Sequence, residues 1–264
     1  MNIDIDLKFT ELEEITVCAK CGQPKAMKIT ILGKERIVPT MCDCRKEELE
    51  KQERKENQER IERKVSELIT QGIMDRQYLN NTFANDNGTN KKVSNVCKKY
   101  VEKWQEVKKD NIGMLLYGDV GRGKTFYACC IANELLKQGV SICITSFPKL
   151  IDKLSNFDET SKSLVEKAKT QSLLIIDDLG VERQTEFVAE QMFKIIDGRV
   201  MSGLPTIITT NLSVEDLENP KNIEYRRIYS RILQMCPIKI LVENQNNRQA
   251  DADRKEKIAR DILK

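Results

Sequence analysis

The fold of this chain is decided by one glycine-rich stretch, Gly118-Asp119-Val120-Gly121-Arg122-Gly123-Lys124-Thr125. It satisfies the pattern G-x-x-x-x-G-K-S/T, in which glycines let successive backbone N–H groups wrap around a phosphate. The apolar run Ile112 to Tyr117 precedes the stretch and a helix-forming run follows it, which is the order of strand, loop and helix that the motif requires. We therefore expect the whole loop to bind a nucleotide, with Lys124 on the β- and γ-phosphates and the Thr125 hydroxyl on Mg²⁺.

A second stretch, Leu173-Leu174-Ile175-Ile176-Asp177-Asp178, is an apolar run that ends in two acids. Carboxylates at the carboxyl end of a strand, beside the strand that feeds the phosphate loop, can hold the metal and orient an attacking water. We expect Asp177 to face Mg²⁺ and Asp178 to act as the general base. Taken alone, the two acids could also be polar residues that open the turn at Gly180, but the phosphate loop favours the catalytic interpretation.

Short apolar or β-branched runs, typical of strands covered on both faces, recur through the second half of the chain. They are Ile112 to Tyr117, Ser141 to Thr145, Leu173 to Ile176, Pro205 to Thr210 and Ile238 to Val242. Helical segments alternate with them, which predicts an α/β fold with a parallel five-stranded sheet flanked by helices. The fourth run ends in Asn211, which either positions the water or γ-phosphate or is an ordinary turn residue.

Two close cysteine pairs, Cys18-x-x-Cys21 and Cys42-x-Cys44, provide the number of thiolates that a closed structural zinc site requires. Between them, residues 29–38 predict a β-hairpin that turns near Gly33. The chain contains no histidine, which excludes every histidine-dependent mechanism and any mixed Cys/His metal site. We expect Zn²⁺ here, with a disulfide or free thiols as alternatives. The remaining cysteines are expected to be small buried apolar residues: Cys97, Cys129, Cys130, Cys143 and Cys236.

The chain has 264 residues, and its 44 basic and 41 acidic residues nearly cancel, so any nucleic-acid binding must come from local patches. Residues 45–72 are rich in Lys, Arg, Glu and Gln and predict a charged helical linker, or alternatively a partner-binding helix. We therefore divide the chain into a zinc-binding module (1–44), this linker (45–72) and an ATPase domain (73–264). The acidic start of the chain and the lack of a long apolar run predict a cytoplasmic protein with no membrane segment.

Together these motifs resemble those of the AAA+ ATPases, with the phosphate loop as Walker A, Leu173 to Asp178 as Walker B and Asn211 as sensor 1. Within that superfamily, three runs resemble the DnaC/DnaI-type replicative helicase loaders of bacteria and phages. The runs are Ile175-Ile176-Asp177-Asp178-Leu179-Gly180-Val181-Glu182, Thr209-Thr210-Asn211-Leu212 and Arg227-Ile228-Tyr229-Ser230-Arg231-Ile232. The resemblance covers about residues 75 to 250.

The resemblance makes Arg231 an arginine finger that reaches the nucleotide of a neighbouring subunit, Arg248 the sensor 2 arginine, and Arg227 a second interface residue near the nucleotide. Without it, Arg226, Arg227 and Arg231 form a basic helix face that could simply be solvated. Asp178 departs from the family pattern, because most AAA+ proteins carry a glutamate there, one methylene longer. This departure leaves the rate of hydrolysis open.

The resemblance further implies an ATPase that uses ATP/ADP and Mg²⁺, associates with itself, grips a hexameric replicative helicase through its zinc module, and binds single-stranded DNA. Base stacking and charge make Phe147, Lys149 and Lys153 the DNA candidates, with core packing as an alternative for Phe147. Two other functions stay open: a transposition-helper ATPase of the same fold, and an ATP-gated adaptor that hydrolyses little.

Overall fold

A computed structural model describes residues 16–31, 33–70, 75–155, 159–243 and 247–262. The chain divides into two compact units, Met1–Glu62 and Arg63–Lys264, which are described separately. The three-part division made from the sequence stays a prediction. Within the described ranges, no helix is both long enough and apolar enough to cross a membrane.

The N-terminal unit is built around an antiparallel hairpin of strands β1 (Ala26–Ile31) and β2 (Lys34–Pro39). Ala26 lies opposite Pro39 and Ile31 lies opposite Lys34, while Gly33 adopts a φ of 75° that glycine reaches without strain. The predicted hairpin is therefore confirmed, including the position of its turn. The cysteines flank it, because two precede β1, Cys42 follows β2 just before the next helix, and Cys44 lies in the first turn of that helix.

Helix α1 spans Asp43–Thr70 and confirms that the charged segment is helical. Most of its surface is exposed and carries pairs spaced four residues apart, such as Arg54 with Glu50 at 3.2 Å. Each such pair adds only about 0.3–0.5 kcal/mol, so charge pairing alone gives this helix modest support. In its last turns, Val65 packs against the hydrophobic core of the second unit. The end of the helix thus belongs to the second unit.

The second unit contains a parallel five-stranded sheet with the order β4-β5-β6-β3-β7. The strands are β3 (Met114–Tyr117), β4 (Ile142–Thr145), β5 (Leu173–Leu179), β6 (Thr206–Thr210) and β7 (Ile238–Leu241). Side chains of the inner strands are buried on both faces, which explains why the sequence shows continuous apolar runs rather than alternation. The fold predicted from the sequence is confirmed.

Helices connect the strands and cover the sheet. They are α2 (Lys91–Glu102), α3 (Trp104–Lys109), α4 (Lys124–Lys137), α5 (Phe147–Ser155), α6 (Glu159–Thr170), α7 (Glu186–Ser202), α8 (Val214–Glu218), α9 (Ile223–Met235) and α10 (Asn247–Ile262). Short 3₁₀ turns at Arg76–Asn80 and Phe83–Asn85 precede α2. The cysteines of this unit are buried, as expected for small apolar residues: Cys97, Cys129, Cys130, Cys143 and Cys236.

One buried cation ties α6, α7 and the start of β6 together. Arg199 is fully buried and donates hydrogen bonds to the carbonyls of Lys169, Gln171 and Pro205 at 3.1, 2.7 and 2.5 Å, and to the Thr206 hydroxyl at 3.2 Å. Burial lowers the pKa of Arg199 to about 10, so the guanidinium stays charged at neutral pH. Because backbone carbonyls take the place of water around this charge, the arginine joins the helices to the edge of the core.

Candidate nucleotide site

The sheet order brings the chemically important segments to one edge. Strand β3 lies between β6 and β7 and feeds the phosphate loop, while β5 pairs with the other side of β6. Since parallel strands end at the same edge, the loop after β3, the acids of β5 and the polar end of β6 converge there. The backbone N–H of Val242, just beyond β7, donates to the carbonyl of Tyr117 at 2.8 Å and closes one side of the site.

The phosphate loop depends on glycines at defined positions. Gly118, Gly121 and Gly123 have φ values of 133°, 78° and 95°, which residues with a side chain rarely adopt. A Cβ on Gly118 would also lie 2.9 Å from the carbonyl oxygen of Val242. Helix α4 starts directly after the loop with no side-chain cap, so its first N–H groups point to where an anion would bind.

Lys124 lies at the centre of the loop, and its side chain is almost entirely buried. Its Nζ donates to the carbonyls of Gly118 and Asp119, each at 2.8 Å, and to Oδ1 of Asn211 at 2.7 Å. The last contact joins two residues that lie far apart in the sequence, the phosphate-loop lysine and the residue predicted as sensor 1. A lysine held in this way presents its charge to the loop interior, where phosphates bind in this motif.

The metal side of the site is a small hydroxyl and carboxylate network. The Thr125 hydroxyl donates to Oδ1 of Asp177 at 2.7 Å, and the Thr209 hydroxyl donates to the same oxygen at 2.6 Å. Thr209 also accepts the backbone N–H of Asp178 at 2.9 Å. No role was predicted for Thr209, whose only signal in the sequence is a polar residue at the end of a β-branched run. A hydroxyl beside a carboxylate is a donor set that suits Mg²⁺.

The strand carrying the acids is distorted where they occur. Asp178 is half-buried with a φ of 56°, and the pairing of β5 with β6 shifts between Ile176 and Leu179. A non-glycine residue in this left-handed region is strained by about 1–3 kcal/mol, and such strain clusters at functional sites. Just beyond, the Gly180 N–H donates to Glu182 at 2.9 Å, and burial raises the pKa of that carboxyl. The bulge turns Asp178 out of the regular strand geometry.

An open cavity of about 550 Å³ adjoins these groups. Its walls come from both sides of the phosphate loop: Tyr117, Gly118, Asp119, Arg122, Asn211, Ser213, Leu241, Val242 and Glu243. Asp119 and Arg122 form an ion pair at 3.3 Å across the loop, and Val120 is half-exposed at its tip. Gly118, Asp119 and Arg122 of the predicted loop thus line one cavity together with Asn211.

A family model described as IstB-like ATP binding protein matches residues 43–238. This chain belongs to that family. Its relatives include the replicative helicase loader DnaI of Bacillus subtilis (strain 168), 30% identical over an alignment of 148 residues that covers 51% of this chain and 48% of the loader. The replicative helicase loader DnaC of Escherichia coli (strain K12) is 29% identical over an alignment of 126 residues that covers 46% of this chain and 50% of the loader.

The aligned part therefore spans about half the length of each loader. A crystal structure of DnaI covers 68% of this chain and 99% of its own chain with a TM-score of 0.56. At 24% identity that match shows the shared fold. The IstB-like family and the loader relatives confirm the resemblance drawn from the motifs, and ATP is the nucleotide of the family. The roles of individual residues stay predictions.

In this IstB-like protein, the predicted interface arginines lie on α9, away from the phosphate loop in sequence. Arg231 forms an ion pair with Asp197 and stacks over the ring of Phe193 at 4.6 Å, both on α7. Arg227, one turn earlier on α9, is exposed. The side chain of Arg248 lies outside the described part of the structure. Within one chain, the polar contacts of Arg231 are with α7.

The cysteine cluster of the N-terminal unit has the geometry of a metal site. The sulfurs of Cys18, Cys21, Cys42 and Cys44 lie within 4.8 Å of one another. The sulfur of Cys44 is 3.4 Å from those of Cys18 and Cys21 and 3.3 Å from that of Cys42. A tetrahedral Zn²⁺ with Zn–S bonds of about 2.3 Å would separate its sulfurs by about 3.8 Å, so the donor set fits zinc. Hydrogen bonds from the backbone N–H groups of Cys21 and Lys20 lower the pKa of Cys18 to about 6, whereas hydrogen bonds with the neighbouring thiols raise the pKa of Cys44.

Of the two interpretations of Phe147, base stacking on DNA and core packing, the structure supports core packing. Phe147 is fully buried in the hydrophobic core, where it cannot stack on a nucleotide base. It begins α5 directly after β4, and the aromatic ring fills the core at that junction. Lys149 pairs with Asp75 at 2.5 Å, and Lys153 is half-buried. The two lysines stay candidates for phosphate contact only.

Proposed function

We propose that this protein is an ATP-dependent loader that binds a replicative hexameric helicase and delivers it onto single-stranded DNA. ATP binding and hydrolysis control its assembly and its release. The observation that carries the proposal is the contact of Lys124 with Asn211 beside the Thr125 and Asp177 pair, in a chain whose relatives include replicative helicase loaders. Through this arrangement, a change at the phosphates would also reach the end of strand β6, and a switch driven by ATP requires such a connection.

The reaction proposed is hydrolysis of ATP by water to ADP and phosphate. Lys124 and the loop N–H groups bind the β- and γ-phosphates, while Thr125 and Asp177 hold Mg²⁺ directly or through water. Bound there, Mg²⁺ supplies positive charge opposite the phosphate oxygens. Asp178 accepts a proton from the attacking water, and Asn211 orients that water or the γ-phosphate. The shorter side chain of Asp178 is consistent with weak hydrolysis that a partner or DNA stimulates.

The proposed catalytic site is completed by a second copy of the chain. Arg231 of a neighbour stabilises the negative charge that develops on the γ-phosphoryl group, with Arg227 beside it. Arg248 binds the nucleotide as sensor 2. In one isolated chain Arg231 is held by Asp197 and Phe193, so assembly would have to exchange these contacts for the neighbour's nucleotide.

The cysteine cluster is proposed to hold a structural Zn²⁺, and the module around it to grip the helicase. A small hairpin unit buries little apolar surface, so a metal would supply much of its folding free energy. Residues 45–72 would then act as the helical linker that carries this module.

The decisive test is capture of a hexameric replicative helicase by the tagged full-length chain, in the presence of ATP and Mg²⁺. Retention of the helicase supports a loader, and release after hydrolysis supports ATP control. Absence of any association would remove the loader function. Capture of a transposase on duplex DNA instead would establish the transposition helper, and helicase capture without phosphate release would establish the adaptor.

A further inference from the structure

Strand β5 carries a bulge, and the two candidate acids form it. The regular pairing of β5 with β6 is interrupted between Ile176 and Leu179. In that gap, Asp177 and Asp178 of β5 lie opposite a single residue of β6, Thr209. Two residues against one is the geometry of a β-bulge, which re-aims a side chain and is over-represented beside active sites. The acids proposed to act on Mg²⁺ and on water thus share one partner on the neighbouring strand.

The bulge matters because consecutive side chains of a regular strand point to opposite faces of the sheet. Asp177 faces the phosphate loop, where its carboxylate accepts the hydroxyl of Thr125 at 2.7 Å. In an unbroken strand, Asp178 would then point to the opposite face. Its φ of 56° breaks the alternation at this residue. A strained backbone of this kind persists only where the surrounding structure holds it, so a neighbouring group has to stabilise the bulge.

The side chain of Thr209 contacts both acids at once. Its hydroxyl donates to Oδ1 of Asp177 at 2.6 Å and accepts the backbone N–H of Asp178 at 2.9 Å. The residue is fully buried, so water is not at hand to replace either bond. A hydroxyl has one proton to donate, and here that proton goes to the carboxylate. Thr209 therefore holds the side chain of one acid and the backbone of the other through a single oxygen atom.

The next residue of β6, Thr210, holds the far end of the bulge. Its hydroxyl donates to the carbonyl of Leu179 at 2.7 Å and accepts the backbone N–H of Leu212 at 3.0 Å. Asn211, one residue further, accepts a hydrogen bond from Lys124 at 2.7 Å. Threonine is restricted at χ1, so buried hydroxyls of this kind keep their direction. The end of β6 thus contacts the metal-side acid, the bulge and the phosphate-loop lysine with consecutive residues.

We propose that Thr209 is a positioning residue for ATP hydrolysis. Its hydroxyl holds the carboxylate of Asp177 towards the metal, and it keeps Asp178 in the bulged conformation from which that acid acts on the attacking water. Within the described chain, both hydroxyl bonds of Asp177 go to Oδ1, which leaves Oδ2 for the metal or for a water bound to it. The inference rests on the proposed hydrolysis reaction, and Thr209 acts through the two acids rather than on the nucleotide.

The test compares two substitutions of Thr209 with one of Thr145 in the full-length chain. Thr209→Val keeps the size and branching of the side chain but removes the hydroxyl, whereas Thr209→Ser keeps the hydroxyl. Thr145→Val is the matched control. Thr145 is also a buried threonine at the end of a strand, next to β5, and its hydroxyl has no hydrogen-bond partner among the described residues. The control thus makes the same chemical change without removing a hydrogen bond.

Three quantities are measured: the affinity of Mn²⁺ for the complex with ADP by electron paramagnetic resonance, the kcat and KM of phosphate release from ATP, and the stability in urea. Mn²⁺ serves as the probe because it takes the same oxygen ligands as Mg²⁺. Groups that orient metal ligands contribute about 10- to 100-fold to metal affinity or activity, so Thr209→Val should weaken Mn²⁺ binding by about 10-fold and lower kcat by about 100-fold. KM should stay within a few-fold of wild type. Thr209→Ser should recover most of both losses, and Thr145→Val should match wild type.

A Thr209→Val chain that binds Mn²⁺ and hydrolyses ATP like wild type would overturn the inference, even if urea unfolded it more easily, because Thr209 would then only satisfy a strand end. Failure of Thr209→Ser to recover Mn²⁺ affinity would overturn it too, since the hydroxyl is retained. Should Thr209→Val not fold, Thr209→Ala, whose smaller side chain cannot clash with the carboxylate, takes its place under the same criteria.

The proposed function has a separate outcome in the same experiment. A wild-type chain that binds Mn²⁺ with ADP but releases no phosphate from ATP would overturn the proposed hydrolysis and the part of the inference that concerns Asp178. The Mn²⁺ affinities of the variants would still test the part that concerns Asp177. Loss of Mn²⁺ affinity in Thr209→Val with recovery in Thr209→Ser would support that part without any measurement of turnover.

Discussion

The Nζ atom of Lys124 lies 2.7 Å from Oδ1 of Asn211, which joins the phosphate loop to the end of the neighbouring strand β6. The same ammonium group also donates to two loop carbonyls. The protein thus holds the lysine where its ammonium group would contact both the β- and the γ-phosphate of ATP. If ATP binds as proposed, we expect the hydrogen bonds of Lys124 to change and the contact with Asn211 to pass that change to β6.

Replacing Asn211 with alanine should leave ATP affinity within a few-fold of wild type and lower turnover by about 100-fold. The expected loss follows from removing one oriented polar group at the reacting phosphate. The measurement is steady-state phosphate release together with equilibrium binding of a fluorescent ATP analogue. Asn219→Ala is the matched control, because Asn219 is exposed at the end of α8 and contacts only a carbonyl of its own helix. Unchanged turnover in the Asn211 variant would contradict the sensor role.

Replacing Lys124 with alanine should lower ATP affinity by about 100-fold or more, since charge-assisted contacts to phosphate are lost. Binding is measured by calorimetry with Mg²⁺ present, and the unfolding temperature checks that the fold is kept. Arg122→Ala serves as the comparison, because Arg122 lies on the rim of the loop and pairs with Asp119. If both variants bound ATP equally well, the loop would not be the phosphate site.

Replacing Arg231 with alanine should leave ATP binding nearly intact and lower turnover by about 1,000-fold, as expected for an arginine finger. Turnover has to be measured over a range of protein concentrations, because the finger acts on a neighbouring copy. Arg226→Ala on the same helix is the control, since Arg226 is exposed. Equal turnover of the Arg231 variant and wild type would refute the assignment. Loss of ATP binding would instead point to a role of Arg231 in the fold of α7 and α9.

Replacing Cys18 with serine should remove zinc and unfold the N-terminal unit while ATP binding is retained. A closed zinc site needs all of its thiolates, and the two units have separate compact structures. Zinc is measured by a colorimetric assay on the unfolded protein, with Lys20→Ala as a control in the same turn. A strong chelator should reproduce the effect on the wild type. A chain purified without zinc but with a folded hairpin would contradict the metal site.

Replacing Arg199 with methionine should destabilise the second unit by about 3 kcal/mol, because buried acceptors lose their donor. Arg199→Lys should recover only part of this, since one ammonium group cannot reach all the acceptors that the planar guanidinium contacts. Trp104, the single tryptophan, is buried in this unit and reports its unfolding in urea by fluorescence. Arg183→Met is the exposed control. A loss under about 0.5 kcal/mol, the range of ordinary surface substitutions, would contradict the proposed role.

Much of the fold could be predicted because its signals are local. The apolar runs of β3 to β7, the glycines of the phosphate loop and the turn at Gly33 each follow from the geometry of a few consecutive residues. The strand carrying Asp177 was predicted to end at Ile176, but it continues to Leu179 through a bulge. An irregularity in pairing depends on the neighbouring strand, so no pattern within the segment itself could reveal it.

The sequence by itself determined a nucleotide-binding α/β fold, a four-cysteine module and the family, because motif spacing and hydrophobic patterning depend on residues that are close together in the chain. Only the tertiary structure decided which distant groups meet. In it Lys124 donates a hydrogen bond to Asn211, Thr209 donates to the carboxylate of Asp177, and Arg231 forms an ion pair with Asp197. It also buried Phe147 in the core. The physical reason is that strand order and helix packing set these contacts, and both arise from the burial of the whole apolar core rather than from any one segment.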